Sequence, residues 1–141
     1  MAAETRARWR GDMSFDIELQ GHSFIVDADE SVGGANQGPR PKALLLSALA
    51  GCTGMDVVSI LKKMKVPLER LEISVAGENS AEHPKVYQDV ELVYSFWGEN
   101  LDESKLQKAV ELSQEKYCGV AATLRGVGTI THRILCNPEP L

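Results

Sequence analysis

The chain is poor in every residue type that would signal a disulfide scaffold, a metal motif or a nucleic-acid surface. Of its 141 residues only three are cysteine, three are histidine and 6% are aromatic. An odd cysteine count without regular spacing excludes the cross-linked framework of a small secreted domain. No block of lysine or arginine occurs, and the formal net charge is -5. Phosphate binding needs a basic stripe on one face, so no nucleic-acid partner is expected. Residues Met1 to Trp9 contain no apolar signal-type stretch, so a cytoplasmic location is expected. In that reducing compartment a disulfide would be transient and catalytic. The longest apolar run, Ala43 to Leu61, is long enough for a membrane but carries Ser47, Thr53, Asp56 and Ser59. An aspartate near its middle is costly in hydrocarbon, so a buried soluble helix is expected, with no membrane partner.

What is present is a globular composition, 43% apolar and 25% charged, of a length that suits one domain over residues 1–141. Met13, Phe15, Ile17 and Leu19 alternate with polar residues, Gln20-Gly21-His22 forms a turn, and Phe24 and Val26 resume the alternation. That pattern predicts a β-hairpin, with Thr5 to Arg10 as an edge strand and Trp9 turned inward. The stretch from Gly33 to Pro41 breaks regular structure. Pro41 suits the first turn of a helix running to about Met64, some 35 Å at 1.5 Å per residue. This helix is apolar almost all round, which one small sheet cannot cover, so an intimate dimer is expected.

Leu71, Ile73 and Val75 mark a further strand, with a polar loop from Gly77 to Pro84 and a long strand from Val86 to Trp97. Asp102 is a good N-cap for a second helix carrying Leu106, Ala109, Val110, Leu112 and Ser113. A last strand is expected over Val127 to Leu135. The order is β-β-β-α-β-β-α-β, an α+β arrangement with mainly antiparallel pairing.

Residue by residue, the chemistry is sparse. His22, His83 and His132 fall in a turn, a loop and a strand with no i, i+4 partner, so no metal and no cofactor are expected. Gly33-Gly34 with Gly38 lacks the strand and glycine pattern of a nucleotide cradle. Cys52 lies inside the apolar helix between Gly51 and Gly54, and Cys118 lies where the second helix meets a loop. Glycine inside a helix costs about 0.5–1 kcal/mol relative to alanine, so two around one thiol need a reason. That reason is either close helix packing or access to the sulfur. Both cysteines are therefore either small core residues or a dithiol, depending on whether the fold brings them together. Asp56, one turn after Cys52, either orients the thiol or caps and pairs across a dimer. Cys136 in the tail is incidental.

The segment Gly38 to Val58, with Gly-Pro-x-Pro, Ala-Leu-Ala-Gly-Cys-Thr and Met-Asp-Val-Val, resembles the OsmC/Ohr family of thiol peroxidases. Leu112-Ser113 with Lys116-Tyr117-Cys118 and Val120 resembles the same family, as do Gly21, His22 and Asp27. The resemblance is nearest to the OsmC-like branch and spans nearly the whole chain as a single OsmC-like domain. It implies an OsmC-like fold, an intertwined homodimer in which antiparallel sheets wrap around the central helices. It implies a peroxidase of oxidative-stress defence that reduces organic hydroperoxides or hydrogen peroxide. Cys52 would be the peroxidatic thiol and Cys118 the resolving one, with an external dithiol as reductant. In that family a glutamate near the start of the central helix pairs with an activating arginine. Pro41-Lys42-Ala43-Leu44 carries no carboxylate there, which leaves Arg8, Arg10 and Arg40 as candidate thiolate-activating cations. The departure supports a second expectation, a small-molecule-binding protein that keeps the fold with little turnover. A third is a structural dimer in which both cysteines only pack.

Overall fold

The computed structural model describes residues 2–126 and 128–139. By its contacts the chain divides into two compact units, residues 1–45 and 46–141.

The first unit is an antiparallel meander of β1 (Thr5–Gly11), β2 (Ser14–Leu19) and β3 (His22–Val26). Gln20 and Gly21 both take positive φ, 51° and 80°, the two-residue geometry that matches the twist of paired strands. Register runs Phe15 to Val26 and Leu19 to His22, as the alternation predicts. Trp9 corrects the expectation of an inward side chain: it is 68% exposed, its indole N–H donating to the Asp12 carbonyl at 2.9 Å. Trp9 keeps its register opposite Phe15, which in turn faces Val26, and the bulge follows it, between Trp9 and Gly11.

After β3 the chain makes a tight excursion and returns, closed by the Asp27 amide on the Pro39 carbonyl at 3.1 Å. Asp27 organises it. Its carboxylate accepts from the amides of Ala28 at 2.8 Å, and of Ala35 and Gln37 at 3.1 Å each, while only 2% of the residue is exposed. Two glycines permit the close approach: a Cβ on Gly34 would run into the Ala28 carbonyl, and one on Gly38 into that of Ile25.

Helix α1 spans Leu44–Lys63, opening after a turn in which the Leu44 amide bonds to the Pro41 carbonyl. It is long and apolar enough to cross a membrane, with mean hydropathy 1.8. Its row Leu49, Thr53, Val57 and Leu61, spaced i, i+4, is buried in the second unit. Strand β4 (Arg70–Asn79) continues two residues past Gly77, where a loop was expected, and pairs antiparallel with β5 (Tyr87–Trp97). The core gathers Val90, Leu92, Tyr94 and Phe96 from β5 with Leu106, Ala109 and Val110 from α2 (Glu103–Leu112). Asp102 caps α2 as predicted, accepting from the Ser104 amide at 3.0 Å.

Beyond α2 the structure adds detail absent from the sequence pattern. The helix widens into a π-turn, Ser113–Tyr117, and a short helix α3, Gly119–Leu124, follows Cys118. The last strand, β6, spans Thr129–Cys136; Val127, expected to open it, lies outside the described residues. β6 runs parallel to β5, from Asp89 beside Thr129 to Phe96 beside Cys136. The other three strand pairs are antiparallel, so pairing is mainly antiparallel as expected and this pair is the exception. A connection containing α2 and α3 is long enough to return the chain to the same end of the sheet, which a hairpin is not.

The Asp27 cage makes acid sensitivity testable. Three amide donors, Gln37 foremost, hold its carboxyl below the usual aspartate range despite burial. A depressed folded-state pKa stabilises the fold above the unfolded value, and that stability is lost as pH falls through the depressed one. Asp27→Asn should therefore lower stability at neutral pH and flatten its fall between about pH 5 and pH 2. Urea unfolding at a series of pH values checks this; parallel curves for the two proteins would refute the role.

Candidate functional site: a dithiol beside a carboxylate

Cys52 and Cys118, remote in sequence, meet in the second unit. Their sulfurs and a carboxylate oxygen of Asp56 all lie within 4.8 Å of one another. Helix periodicity explains half of this, because Cys52 and Asp56 are four residues apart on α1 and share a face. The π-turn explains the rest. The Cys118 amide bonds to the Ser113 carbonyl at 2.7 Å, five residues back, and Cys118 leaves the turn extended (φ −72°, ψ 102°). There it caps α3, its sulfur accepting from the Ala121 amide at 3.4 Å.

The two thiols differ in environment. Cys52 is half-buried, whereas Cys118 is only 3% exposed. Burial pushes the Cys118 thiol above the ordinary cysteine range, and the neighbouring Cys52 adds to this, while the Ala121 N–H works the other way. Cys118 is accordingly a protonated thiol at neutral pH. None of the three cysteines is in a disulfide.

A buried chain of hydroxyls holds the arrangement. Ser113 Oγ donates to Asp56 Oδ2 at 2.8 Å and also meets Thr53 Oγ1 at 2.8 Å. Thr53 in turn meets the Tyr94 hydroxyl at 2.7 Å, and Gln114 Nε2 donates to that hydroxyl at 2.7 Å. A hydroxyl has one proton. Since the Ser113 proton is spent on Asp56, Thr53 must donate to Ser113 and Tyr94 to Thr53. Every donor thus points one way, from Gln114 through Tyr94, Thr53 and Ser113 to the Asp56 carboxylate. Burial pushes the Tyr94 phenol up, which keeps that donor protonated. Among the described residues no buried side-chain nitrogen or oxygen lacks a partner. Arg125, at the end of α3, closes the site from another side by donating to the Gln114 carbonyl.

A cleft of about 510 Å³ opens beside Asp56, walled by Met55, Ile60, Met64, Leu112 and Tyr117 with Lys63 also lining it. The candidate activating arginines all lie in the first unit, each facing a carboxylate there. Arg8 meets Glu18 at 2.7 Å, Arg10 meets Asp16 at 3.4 Å and Arg40 meets Asp29 at 3.3 Å. Sequence reasoning left out Thr53, Tyr94, Gln114 and Arg125. A signal was available for two of them. Thr53 interrupts an otherwise apolar i, i+4 row, and Tyr94 carries a hydroxyl into the buried face of β5, where burial demands a partner.

The fold and this site define an α+β protein that converts two remote cysteines into one buried, carboxylate-flanked dithiol. The family model for OsmC-like proteins matches residues 34–133, and the chain belongs to that family. It is 32% identical to the protein YhfA of Escherichia coli K12 over 130 residues, covering 92% of this chain and 94% of that protein. A hypothetical protein from Aquifex aeolicus VF5 superposes with a TM-score of 0.83 at 27% identity, covering 98% of this chain and 99% of that one. The organic hydroperoxide resistance protein OhrB of Bacillus subtilis shares the fold with a TM-score of 0.66 at 19% identity, over 97% and 98% of the two chains.

The hydroxyl chain should be a stability element as well as a positioning one. Tyr94→Phe removes the donor to Thr53 and the acceptor of Gln114 inside the core. It should cost about 1–3 kcal/mol, the range for stranding a buried polar group. Denaturant midpoints of the two proteins measure the difference, and an unchanged midpoint would remove the network from the account.

Proposed function

We propose that this protein is a thiol-dependent peroxidase that reduces organic hydroperoxides or hydrogen peroxide in oxidative-stress defence. The observation that carries the reading is the approach of the Cys52 and Cys118 sulfurs to within 4.8 Å, beside a carboxylate. Cys52, the more accessible sulfur, is the peroxidatic one. Its thiolate attacks one peroxide oxygen and the O–O bond breaks. Sulfur becomes a sulfenic acid, and the leaving oxygen takes a proton and departs as alcohol or water. Cys118 then attacks the sulfenic sulfur, a disulfide forms and water leaves. An external dithiol restores both thiols by exchange. The distance to be closed, from within 4.8 Å to about 2.05 Å between sulfurs, is within reach of side-chain rotation.

Three features support the reading. Family membership joins the chain to a group whose members include organic hydroperoxide resistance proteins. The protonated, buried Cys118 suits a resolving thiol, held in reserve until a sulfenic acid is in reach. The apolar walls of the neighbouring cleft suit the hydrocarbon part of an organic hydroperoxide.

Peroxide added to the reduced protein should remove two thiols per chain and give a Cys52–Cys118 disulfide. Cys52→Ser should abolish peroxide consumption, whereas Cys118→Ser should accumulate a sulfenic acid that dimedone traps at Cys52. Mass spectrometry after treatment with cumene hydroperoxide or hydrogen peroxide separates these outcomes. Undiminished turnover in Cys52→Ser would sink the mechanism, and no peroxide consumption by the unaltered protein would leave the small-molecule-binding alternative.

The working form we propose is a homodimer built on the outer face of α1. There Met55 is 77% and Val58 48% exposed, and Gly51 meets nothing within 4 Å of where a Cβ would stand. An apolar helix face with a glycine gap matches another helix, and small residues let backbones approach. Gly51→Leu is accommodated within one chain but fills that gap. It should shift the protein from dimer to monomer in sedimentation equilibrium; an unaltered dimer would place the interface elsewhere.

A further inference from the structure

We propose that the reduced site is also a metal site, in which Cys52, Asp56 and Cys118 bind one thiophilic divalent cation of the zinc class. The donors are two sulfurs and one carboxylate oxygen, all within 4.8 Å of one another. In a tetrahedral zinc centre, bonds of about 2.3 Å to sulfur and 2.0–2.2 Å to oxygen put donors roughly 3.5–3.8 Å apart. Each donor therefore has about 1 Å or less to move, a side-chain adjustment that leaves the helices in place. Two sulfurs favour zinc-like ions over magnesium or calcium, which demand oxygen-rich shells.

The surroundings have the build of a metal centre. Asp56 is oriented by Ser113, which is oriented by Thr53, Tyr94 and Gln114 in a chain of donors running toward the carboxylate. Outer-shell partners of this kind fix ligating carboxylates in metalloproteins. The Cys118 sulfur is held by the Ala121 amide. Binding displaces the thiol protons, and the divalent cation balances the charge of the two thiolates and the carboxylate that then converge. Three protein donors leave a fourth position, which water or a substrate atom would take on the open side of Cys52.

The site is shared with the proposed peroxidase, yet cation binding needs no turnover, so the two readings fail separately. Metal and disulfide exclude each other, because both sulfurs use the same electron pairs. A bound cation slows the attack of Cys52 on peroxide, and oxidation of the dithiol expels the cation. No oxidant beyond a peroxide is needed for that exchange: two electrons leave the sulfurs for the O–O bond, water supplies the two protons that release the oxygens as alcohol and water, and the divalent ion departs with its charge unchanged.

The test is titration of the fully reduced protein with cobalt(II) in the absence of oxygen. One equivalent per chain should produce sulfur-to-cobalt charge-transfer absorption and the intense visible bands of tetrahedral cobalt, both displaced by zinc(II). Cys52→Ser and Cys118→Ser should each lose the tetrahedral dithiolate spectrum. Asp56→Asn, which keeps size and shape, should weaken binding at least tenfold, and Ser113→Ala about tenfold through the lost outer-shell bond. Cys136→Ser should bind as the unaltered protein does. Absence of charge-transfer absorption in the folded, reduced protein would overturn the proposal, as would its loss in Cys136→Ser or full affinity in Asp56→Asn. Peroxide added to the zinc-loaded protein should release the zinc as the disulfide forms, since zinc itself is redox-inert. Retention of zinc with disulfide present would equally overturn it.

Discussion

Thr53 meets both Tyr94 and Ser113 inside the core, and this branched hydroxyl contact ties three elements together: α1, the central strand β5 and the π-turn. Apart from it and the adjoining Ser113–Asp56 and Gln114–Tyr94 bonds, the three meet through apolar surface, which is strong but has little directional preference. Hydrogen bonds in a low-dielectric interior specify angles and register as well as proximity. Cys52 lies one residue before Thr53, and Cys118 closes the turn that Ser113 opens. Fixing Thr53 against Ser113 therefore fixes the two thiols against each other. The chemistry proposed for the site rests on a polar contact that contains neither sulfur.

This division of labour explains what could be read from the sequence. Strands β1 to β3 follow from strict alternation around Gln20-Gly21, and α2 from Asp102 and its apolar spacing, because local signals of period two or 3.6 decide them. The parallel placement of β6 was not legible, since alternation is blind to strand direction. Trp9 was misplaced because large apolar residues are expected inside by default, whereas register alone does not say whether a sheet face is covered. In the site, Cys52 and Asp56 share a face by helix periodicity alone. Cys118 joined them only through family motifs; Thr53 and Tyr94 each left a local trace, a hydroxyl in a buried row, while Gln114 in a polar stretch left none. Only the assembled core shows that they satisfy one another.

The departure from the family's glutamate at the start of the central helix has a physical counterpart. Arg8, Arg10 and Arg40 are each committed to a carboxylate within the first unit. The acidic group nearest the cysteines is instead Asp56, on the same helix. A carboxylate cannot favour a neighbouring thiolate by charge. A carboxylate accepts protons and ligates cations, and it is these properties that Asp56 brings beside the two sulfurs.

The π-turn carries a consequence of its own. Successive residues of an α-helix advance by about 100° around the axis, so one additional residue in a turn resets the angular phase of all that follows. Here the residue out of phase is Cys118, which exits toward α1 because the preceding turn closes over five residues and not four. Loss of a single residue between Ser113 and Tyr117 would restore ordinary helical winding and carry the thiol around the cylinder, with every side chain of the site still encoded. Whether this chain has one dithiol or two isolated cysteines is thus decided by a count, the length of one turn, as much as by the identity of any residue in it.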